Sequence, residues 1–318
     1  MMARPGSNTH GTHDALADPR NAKVRLYVNG RLLRRDRAVI SVFDAGFILG
    51  DGVWEGVRLH KGRIAFLDRH LDRLYEGAKA IALDIGKTRA EMTDILYRVV
   101  RANRMESGVH IRLMVTRGLK KTPSQDPRLG IGPATIVVVA EHKTVNPTVY
   151  RRGIRLITSS VRRGYPDVQD PKLNSHSKLN CITAIVQAHA AGMDEALMLD
   201  PHGFVSTCNA THFFIVRKGE VWTSTGMYCL AGITRRHVLE LCHANGIPAQ
   251  ERSFSLTETY GAEEAFCTGT FGGLTPVVEI DGRTIGTGRP GPMAQRLTRL
   301  YHELIERECA AGTPRRRG

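Results

Sequence analysis

Between Gly153 and Gly192 the chain changes its hydrophobic period, and that change restricts the folds open to it. Gly153 to Val161 carries Ile154, Leu156 and Ile157 among β-formers, the pattern of a strand. Leu179, Ile182, Ile185, Val186 and Ala190 then recur at helical spacing, up to Gly192. The stretch between them, Asp170-Pro171-Lys172-Leu173-Asn174-Ser175-His176-Ser177-Lys178-Leu179-Asn180-Cys181, holds two lysines and a histidine. A strand-to-helix junction aims side chains and unpaired backbone N–H groups into a common space, which suits a cofactor site. A solvated loop with surface lysines has the same composition, so the stretch alone does not decide.

The same alternation of periods runs through the chain. Arg25 to Val28 is a short strand, and Asn29-Gly30 turns it into a second one. Leu71, Leu74, Ala78 and Ile81 share a face of a helix over Leu67–Leu83, with Asp68 available as its cap. Thr88-Arg89-Ala90-Glu91 is a capping box that opens another helix ending near Asn103. Val109–Thr116 and Thr135–Ala140 read as strands, and the long loop Gly118–Pro133 between them reads as a lid or a partner contact. The second half alternates in the same way and ends on an amphipathic helix with Leu297, Leu300, Tyr301, Leu304 and Ile305. These patterns predict an α/β (α+β) protein. Residues 1–22 form a flexible tail, 23–142 a small N-terminal domain, 143–152 a linker, 153–310 a larger C-terminal domain and 311–318 a basic tail.

Composition excludes several classes. The 318 residues support one large or two ordinary domains, and 42% hydrophobic with 24% charged residues is ordinary for a soluble protein. No apolar run approaches a membrane span, and the N-terminus has no apolar signal core, so neither a membrane nor a secreted destination is expected. The net charge of +14 comes from scattered arginines without zinc-finger spacing, a basic helix or an aromatic platform, so nucleic acid is not the expected partner. Cys181, Cys208, Cys229, Cys242, Cys267 and Cys309 form no C-x-x-C pair; they read as reduced thiols of a cytoplasmic protein and imply no metal.

Three further stretches carry chemistry. Gly232-Ile233-Thr234 is a helix N-terminus whose unpaired N–H groups and dipole favour a phosphate, with the Thr234 hydroxyl beside them, although simple capping explains most such threonines. Arg73, beside His70 on the first long helix, can complete a phosphate site, while a surface ion pair is the ordinary role of a helical arginine. Thr268-Gly269-Thr270 adds donors with little bulk, and the glycine-rich run Leu49 to Arg58 permits close backbone approach next to Trp54. A phosphate clamp, a lysine amine and a glycine-lined pocket are what pyridoxal 5'-phosphate requires, since its aldehyde condenses with a lysine.

From about Val24 to Leu304 the chain resembles the class IV aminotransferases, the fold-type IV pyridoxal-phosphate enzymes that include branched-chain and D-amino-acid aminotransferases and aminodeoxychorismate lyase. Five motifs carry the resemblance in the family's order: Gly50-Asp51-Gly52-Val53-Trp54-Glu55-Gly56, Arg69-His70-Leu71-Asp72-Arg73-Leu74, Asp194-Glu195-Ala196-Leu197-Met198-Leu199-Asp200, Gly232-Ile233-Thr234-Arg235, and Thr268-Gly269-Thr270 with Thr275-Pro276-Val277. The resemblance implies a two-domain fold with the cofactor in the cleft between the domains, and a homodimer. It implies Arg73, Ile233, Thr234 and Thr270 on the cofactor phosphate, and substrate contacts at Trp54, Arg112 and Phe271.

The departures from the family are as specific. Counting back from Asp194-Glu195, the Schiff-base lysine position falls on Asn174, and the tyrosine expected one helical turn later falls on Lys178. The glutamate that faces the pyridine nitrogen is replaced by Thr207, which leaves the ring a weaker electron sink. Asparagine cannot form the imine. Four residues along a helix place Lys178 about 6 Å from Asn174 on the same face, within reach of the aldehyde. Lys178 is therefore the expected catalytic and cofactor-binding lysine; Lys172, two residues before Asn174, is the rival if the strand continues that far, and a relative that uses neither lysine is the third reading. The expected reaction moves an amino group between an amino acid or amine and a 2-keto acid. Alternatives are a lyase or eliminase resembling aminodeoxychorismate lyase, or a cofactor-binding protein without turnover. The arginine and histidine that D-specific relatives carry in the long loop are missing between Gly118 and Pro133, where Lys120 and Lys121 stand instead.

Overall fold

The computed structural model describes residues 11–311, so the first ten and last seven residues assigned to the two tails lie outside the described residues. The chain forms two compact units: 17–144 with 173–177 and the end of the last helix from 305, and 11–16 with 145–172 and 178–304.

In the first unit, β1 (Arg25–Val28) and β2 (Arg31–Arg34) form a hairpin through Asn29 and Gly30, both at positive φ, as a tight primed turn requires. A short helix α1 (Ala45–Leu49) is capped by Asp44, whose carboxylate accepts from the Gly46 amide at 2.9 Å. Then come β3 (Gly52–His60), β4 (Arg63–Ile64), α2 (Leu67–Ala80), α3 (Arg89–Ala102), β5 (Val109–Thr116) and β6 (Thr135–His142). The six strands pair in the order β2-β1-β6-β5-β3-β4, antiparallel throughout. Alternate residues of β3 and β5 (Val53, Val57, Leu59, Val109, Ile111, Leu113, Val115) are buried with Leu71, Leu74, Met92, Leu96 and Val99 of the two long helices. The Thr88–Glu91 capping box forms as the sequence predicts. Asp68 does not cap α2: Phe66 takes the cap position in a left-handed conformation, and Asp68 lies in the first turn.

The second unit opens with residues 11–16 and continues through α4 (Pro147–Arg152), β7 (Ile154–Thr158), α5 (Pro166–Gln169), α6 (Leu179–Ala190), β8 (Glu195–Leu199), β9 (Val205–Cys208), β10 (His212–Arg217) and β11 (Glu220–Thr223). It ends with α7 (Ile233–Ala244), β12 (Ala249–Glu251), α8 (Leu256–Tyr260), β13 (Glu264–Gly269), β14 (Gly273–Ile280), β15 (Arg283–Thr284) and α9 (Pro292–Ala311). Its sheet runs β12-β11-β10-β13-β14-β7-β8-β9, with β15 on β14. The β14–β7, β7–β8 and β11–β12 pairs are parallel, and the remaining pairs are antiparallel. Phe213, Ile215, Cys267, Val277, Ile154 and Leu197 pack on one side of this sheet with Phe254.

One expectation is corrected. Residues 11–16 are not loose: Thr12 is buried, and Ala15 forms a bridge with Val145. Residues 143–152, expected as a linker, contain a short helix. Asn146 accepts from the Thr148 amide at 3.1 Å and caps α4, whose first residue is Pro147. No helix among the described residues is long and apolar enough to cross a membrane.

Leu96 of α3 is fully buried in the core of the first unit. Leu96→Ala should lower unfolding free energy by about 3 kcal/mol, read as a shifted midpoint at unchanged slope in urea melts.

Candidate active site

In the first unit, parity along β3 sorts the side chains. Val53, Glu55 and Val57 face the helices, while Trp54, Gly56 and Arg58 face the other way. Glu55 is a carboxylate on a buried face, and α2 answers it from two positions three residues apart. His70 Nδ1 lies 2.7 Å from one Glu55 oxygen, and Arg73 donates through Nε and a terminal nitrogen, both at 2.7 Å. Burial pushes the Glu55 carboxyl up. The Arg73 charge and the hydrogen bonds from His70 and Arg73 outweigh it and hold the group below its ordinary value. Glu55 therefore sets the direction of the Arg73 guanidinium.

On the opposite face, the Arg112 guanidinium sits 3.8 Å over the Trp54 ring. Gly56 pairs with Arg112 across the strands, and a Cβ there would come 3.0 Å from His110 Nε2. The missing side chain keeps a gap between the indole and the imidazole.

Residues 174–176 add a short run of pairing to the edge of β3. The Trp54 amide donates to the Asn174 carbonyl at 3.0 Å, and the His176 amide donates to the Gly52 carbonyl at 3.0 Å. Trp54 Nε1 donates to the Ser175 carbonyl at 3.0 Å, and Asn174 Nδ2 to the Trp54 carbonyl at 2.6 Å. Asn174 is thus 6% exposed, with its amide spent on the backbone of the strand that carries Trp54.

This geometry corrects the basis on which Lys178 and Lys172 were compared. The helix begins only at Leu179, and Lys178 is its cap residue with φ −124 and ψ 18. Asn174 and Lys178 are therefore not joined by a helical turn. Strand β7 ends at Thr158, and Lys172 is exposed in a turn, its amide on the Asp170 carboxylate at 2.8 Å, so it does not share a strand face with Asn174. Lys178 is half-buried.

In the second unit, α7 starts at Ile233 after Gly232, and no side chain caps it. A Cβ at Gly232 would lie 2.1 Å from His212 Nε2, so the backbone approaches the imidazole as only glycine allows. His212 pairs with Thr268 across β10 and β13, so the two side chains share the sheet face on which the start of α7 lies. The Thr268 hydroxyl is buried without a hydrogen-bond partner, an energetic cost that a bound acceptor removes. Thr234 is buried in the first turn, its hydroxyl 3.4 Å from that of Tyr301. An uncapped helix start, a glycine approach and a partnerless buried hydroxyl fit a phosphate group, the part of pyridoxal phosphate that needs the most donors.

Thr207 on β9 is buried, and its hydroxyl donates to the Thr211 carbonyl at 2.7 Å. Thr270 and Phe271 occupy the turn from β13 to β14; Thr270 is half-buried, and Phe271 is buried beneath the ring of His13. The expected site residues thus fall into two groups. Arg73, Trp54 and Arg112 lie in the first unit, and Lys178, Thr207, Ile233, Thr234, Thr270 and Phe271 in the second. Sequence pattern alone gave Glu55 no role, because its partners lie 15 and 18 residues away. A charged residue at an inward parity of a strand was the available signal.

Residues 52–280 match the pattern of the amino-transferase class IV family, and the chain belongs to that family. It is 42% identical over 294 residues to branched-chain-amino-acid aminotransferase-like protein 2 of Arabidopsis thaliana, covering 92% of this chain and 52% of the relative. The chain therefore spans about half the length of the first curated relatives it matches. It is 39% identical over 282 residues to the putative branched-chain-amino-acid aminotransferase of Methanocaldococcus jannaschii, covering 88% and 96% of the two chains. Among solved structures, the T.th. branched-chain amino acid aminotransferase with pyridoxamine 5'-phosphate superposes with a TM-score of 0.84 at 32% identity, covering 90% of this chain and 95% of the other. The fold is that of the fold-type IV aminotransferases, whose cofactor is pyridoxal 5'-phosphate.

The Glu55 cluster makes stability depend on acid in a definite direction. Its depressed carboxyl contributes stability above the ordinary value of 4.5, and that stability is lost as pH falls through the folded-state value. Glu55→Gln should cost about 3 kcal/mol at pH 7 by removing the buried charge that the Arg73 guanidinium answers. In denaturant melts the gap between wild type and variant should close as pH falls below that range.

Proposed function

We propose that the chain moves an amino group between an amino acid or amine and a 2-keto acid, with pyridoxal phosphate as its cofactor. The single observation that carries this reading is the uncapped start of α7 beside the partnerless buried hydroxyl of Thr268. Ile233, Thr234 and Thr270, all of the second unit, would hold the phosphate. When bound, the cofactor supplies an electron-withdrawing ring that makes the proton on the substrate's α-carbon removable. Thr207 would face the pyridine nitrogen; its own proton is committed to the Thr211 carbonyl, so it would offer only a lone pair there. Lys178 is the amine of the site: its Nζ anchors the cofactor at rest and takes up and returns the α-proton. Its half-buried place at the head of α6 supports that role, as does the commitment of Asn174 to the Trp54 carbonyl. Arg112, steadied on the Trp54 ring, meets a substrate carboxylate, and Phe271 lines the substrate's path.

We propose in addition that the protein is a homodimer of the cytoplasm. Leu179, Ile182 and Val186 follow one another at helical spacing on α6, 73%, 53% and 59% exposed, an apolar stripe that a second copy would cover. The six cysteines are free thiols, as a reducing compartment keeps them.

Borohydride reduction of the cofactor-loaded protein, followed by peptide mapping, should place the pyridoxyl label on Lys178. A label on Lys172 or none at all refutes the assignment. Lys178→Ala should lower keto-acid formation at least about a hundredfold. Spectral conversion by an amino donor supports transamination, pyruvate release without it marks an eliminase, and an inert spectrum marks a binding protein. Ile182→Glu should turn the dimer into a monomer in light scattering, and a wild type that is already monomeric refutes the stripe as its interface.

A further inference from the structure

Upstream of the first strand, residues 11–15 are built into the second unit with a care that no tail requires. Thr12 is 2% exposed. Its amide donates to Glu195 Oε1 at 2.6 Å, and its hydroxyl donates to the same oxygen in a short bond. The Thr211 hydroxyl donates to Glu195 Oε2 at 3.2 Å. Glu195, at the start of β8, is a buried carboxylate with no ion pair among the described residues, so these neutral donors are what make its burial tolerable. Two of the three belong to Thr12. Gly11 is equally constrained, since a Cβ there would come 3.2 Å from the Asp194 carbonyl and 3.3 Å from Glu195 Oε1.

The other end of the segment is clasped as well. The Asn146 amide donates to the Asp14 carbonyl at 3.2 Å, Asn146 Nδ2 donates to the Asp14 carboxylate at 3.1 Å, and Ala15 bridges Val145. Between these two anchors the chain is pressed on the turn from β13 to β14. The His13 ring stacks on Phe271 with centroids 6.0 Å apart and planes 24° apart. A Cβ at Gly272 would lie 3.0 Å from the Thr12 carbonyl oxygen, so backbone meets backbone there. From elsewhere in the unit, Tyr150 donates its hydroxyl to the Gly272 carbonyl at 2.8 Å.

We infer that residues 11–14 are a strap that fixes the Thr270–Gly272 turn in its binding conformation, with Thr12 as the positioning residue. The inference rests on the reading above, in which that turn contributes Thr270 and Phe271 to the pyridoxal-phosphate site. Thr270 is followed by Phe271, Gly272 and Gly273, the last at φ +59, and a turn so rich in glycine loses more freedom on ordering than any other kind. A strap anchored at both ends meets that cost before the ligand arrives, which raises affinity without touching the ligand. Thr12 and His13 then belong to the site although the first strand of the fold begins only at Arg25.

Amide hydrogen exchange of the full chain without cofactor tests the strap directly, and pyridoxal phosphate titration tests its consequence. In Thr12→Val, exchange in peptides spanning 269–273 should quicken at least tenfold, with β3 and β5 unchanged, and the pyridoxal phosphate Kd should rise about tenfold. Thr12→Ser should restore both to within twofold of wild type. His13→Ala removes the ring on Phe271 and the Nδ1 contact 3.1 Å from the Thr12 hydroxyl but keeps both Thr12 donors to Glu195; it guards against a misfolded Thr12 variant and should raise both readings about threefold. Unchanged exchange in Thr12→Val and His13→Ala overturns the strap, and so does faster exchange with an unchanged Kd. A wild type that binds no pyridoxal phosphate removes the proposed function, and the exchange result then judges the strap by itself.

Discussion

Each unit of this chain is organised around a carboxylate taken out of water, and the two are compensated by opposite means. Glu55 faces the helices of the first unit and is met by the Arg73 guanidinium, with the His70 ring beside it, so the guanidinium charge answers the carboxylate. Glu195 opens a buried strand and is met by hydroxyls and an amide, so dipoles alone answer it. The outcomes differ in sign for that reason. Both groups are pushed up by burial, but only Glu55 has a guanidinium beside it, with hydrogen bonds from Arg73 and His70, to bring it below its ordinary value, whereas Glu195 stays above. Burial alone fixes neither the charge state nor the role of an acid; its neighbours do.

Much of the architecture was legible because it is written in local period. The capping box at Thr88, the primed turn at Asn29-Gly30, the helix opening at Gly232 and the alternation along β5 are decided within a few residues, where pattern and physics coincide. The junction at 170–181 was read correctly as a change from strand to helix and wrongly in detail. Its middle is neither: residues 174–176 pair with β3, more than a hundred residues upstream, and no local period announces such a partner. The packing of Thr12 on Glu195 was hidden for the same reason, since a polar, glycine-containing N-terminus looks like a tail until its distant acceptor is known.

The proposed site residues divide along the same line. Thr234 and Thr270 are recognisable because a helix start and a glycine turn have donor chemistry whatever surrounds them. Arg73 is recognisable as an arginine on a helix, but the carboxylate that aims it comes from a different element and is found only in three dimensions. Asn174 is the instructive case. The resemblance expects an amine at this position; by structure it is a hydrogen-bonding residue whose amide completes the edge of the strand bearing Trp54, so a lysine placed there would have to break that bond before it could do anything else.

The contact at Gly232 reaches beyond this one molecule. With His212 Nε2 lying 2.1 Å from where a Cβ at 232 would stand, the glycine cannot gain bulk while the imidazole holds that place. Descendants of this chain can lose the glycine only after the imidazole has shrunk, so the two sites should drift as a couple, in that order, and a lineage that keeps the histidine carries the glycine with it as a frozen inheritance.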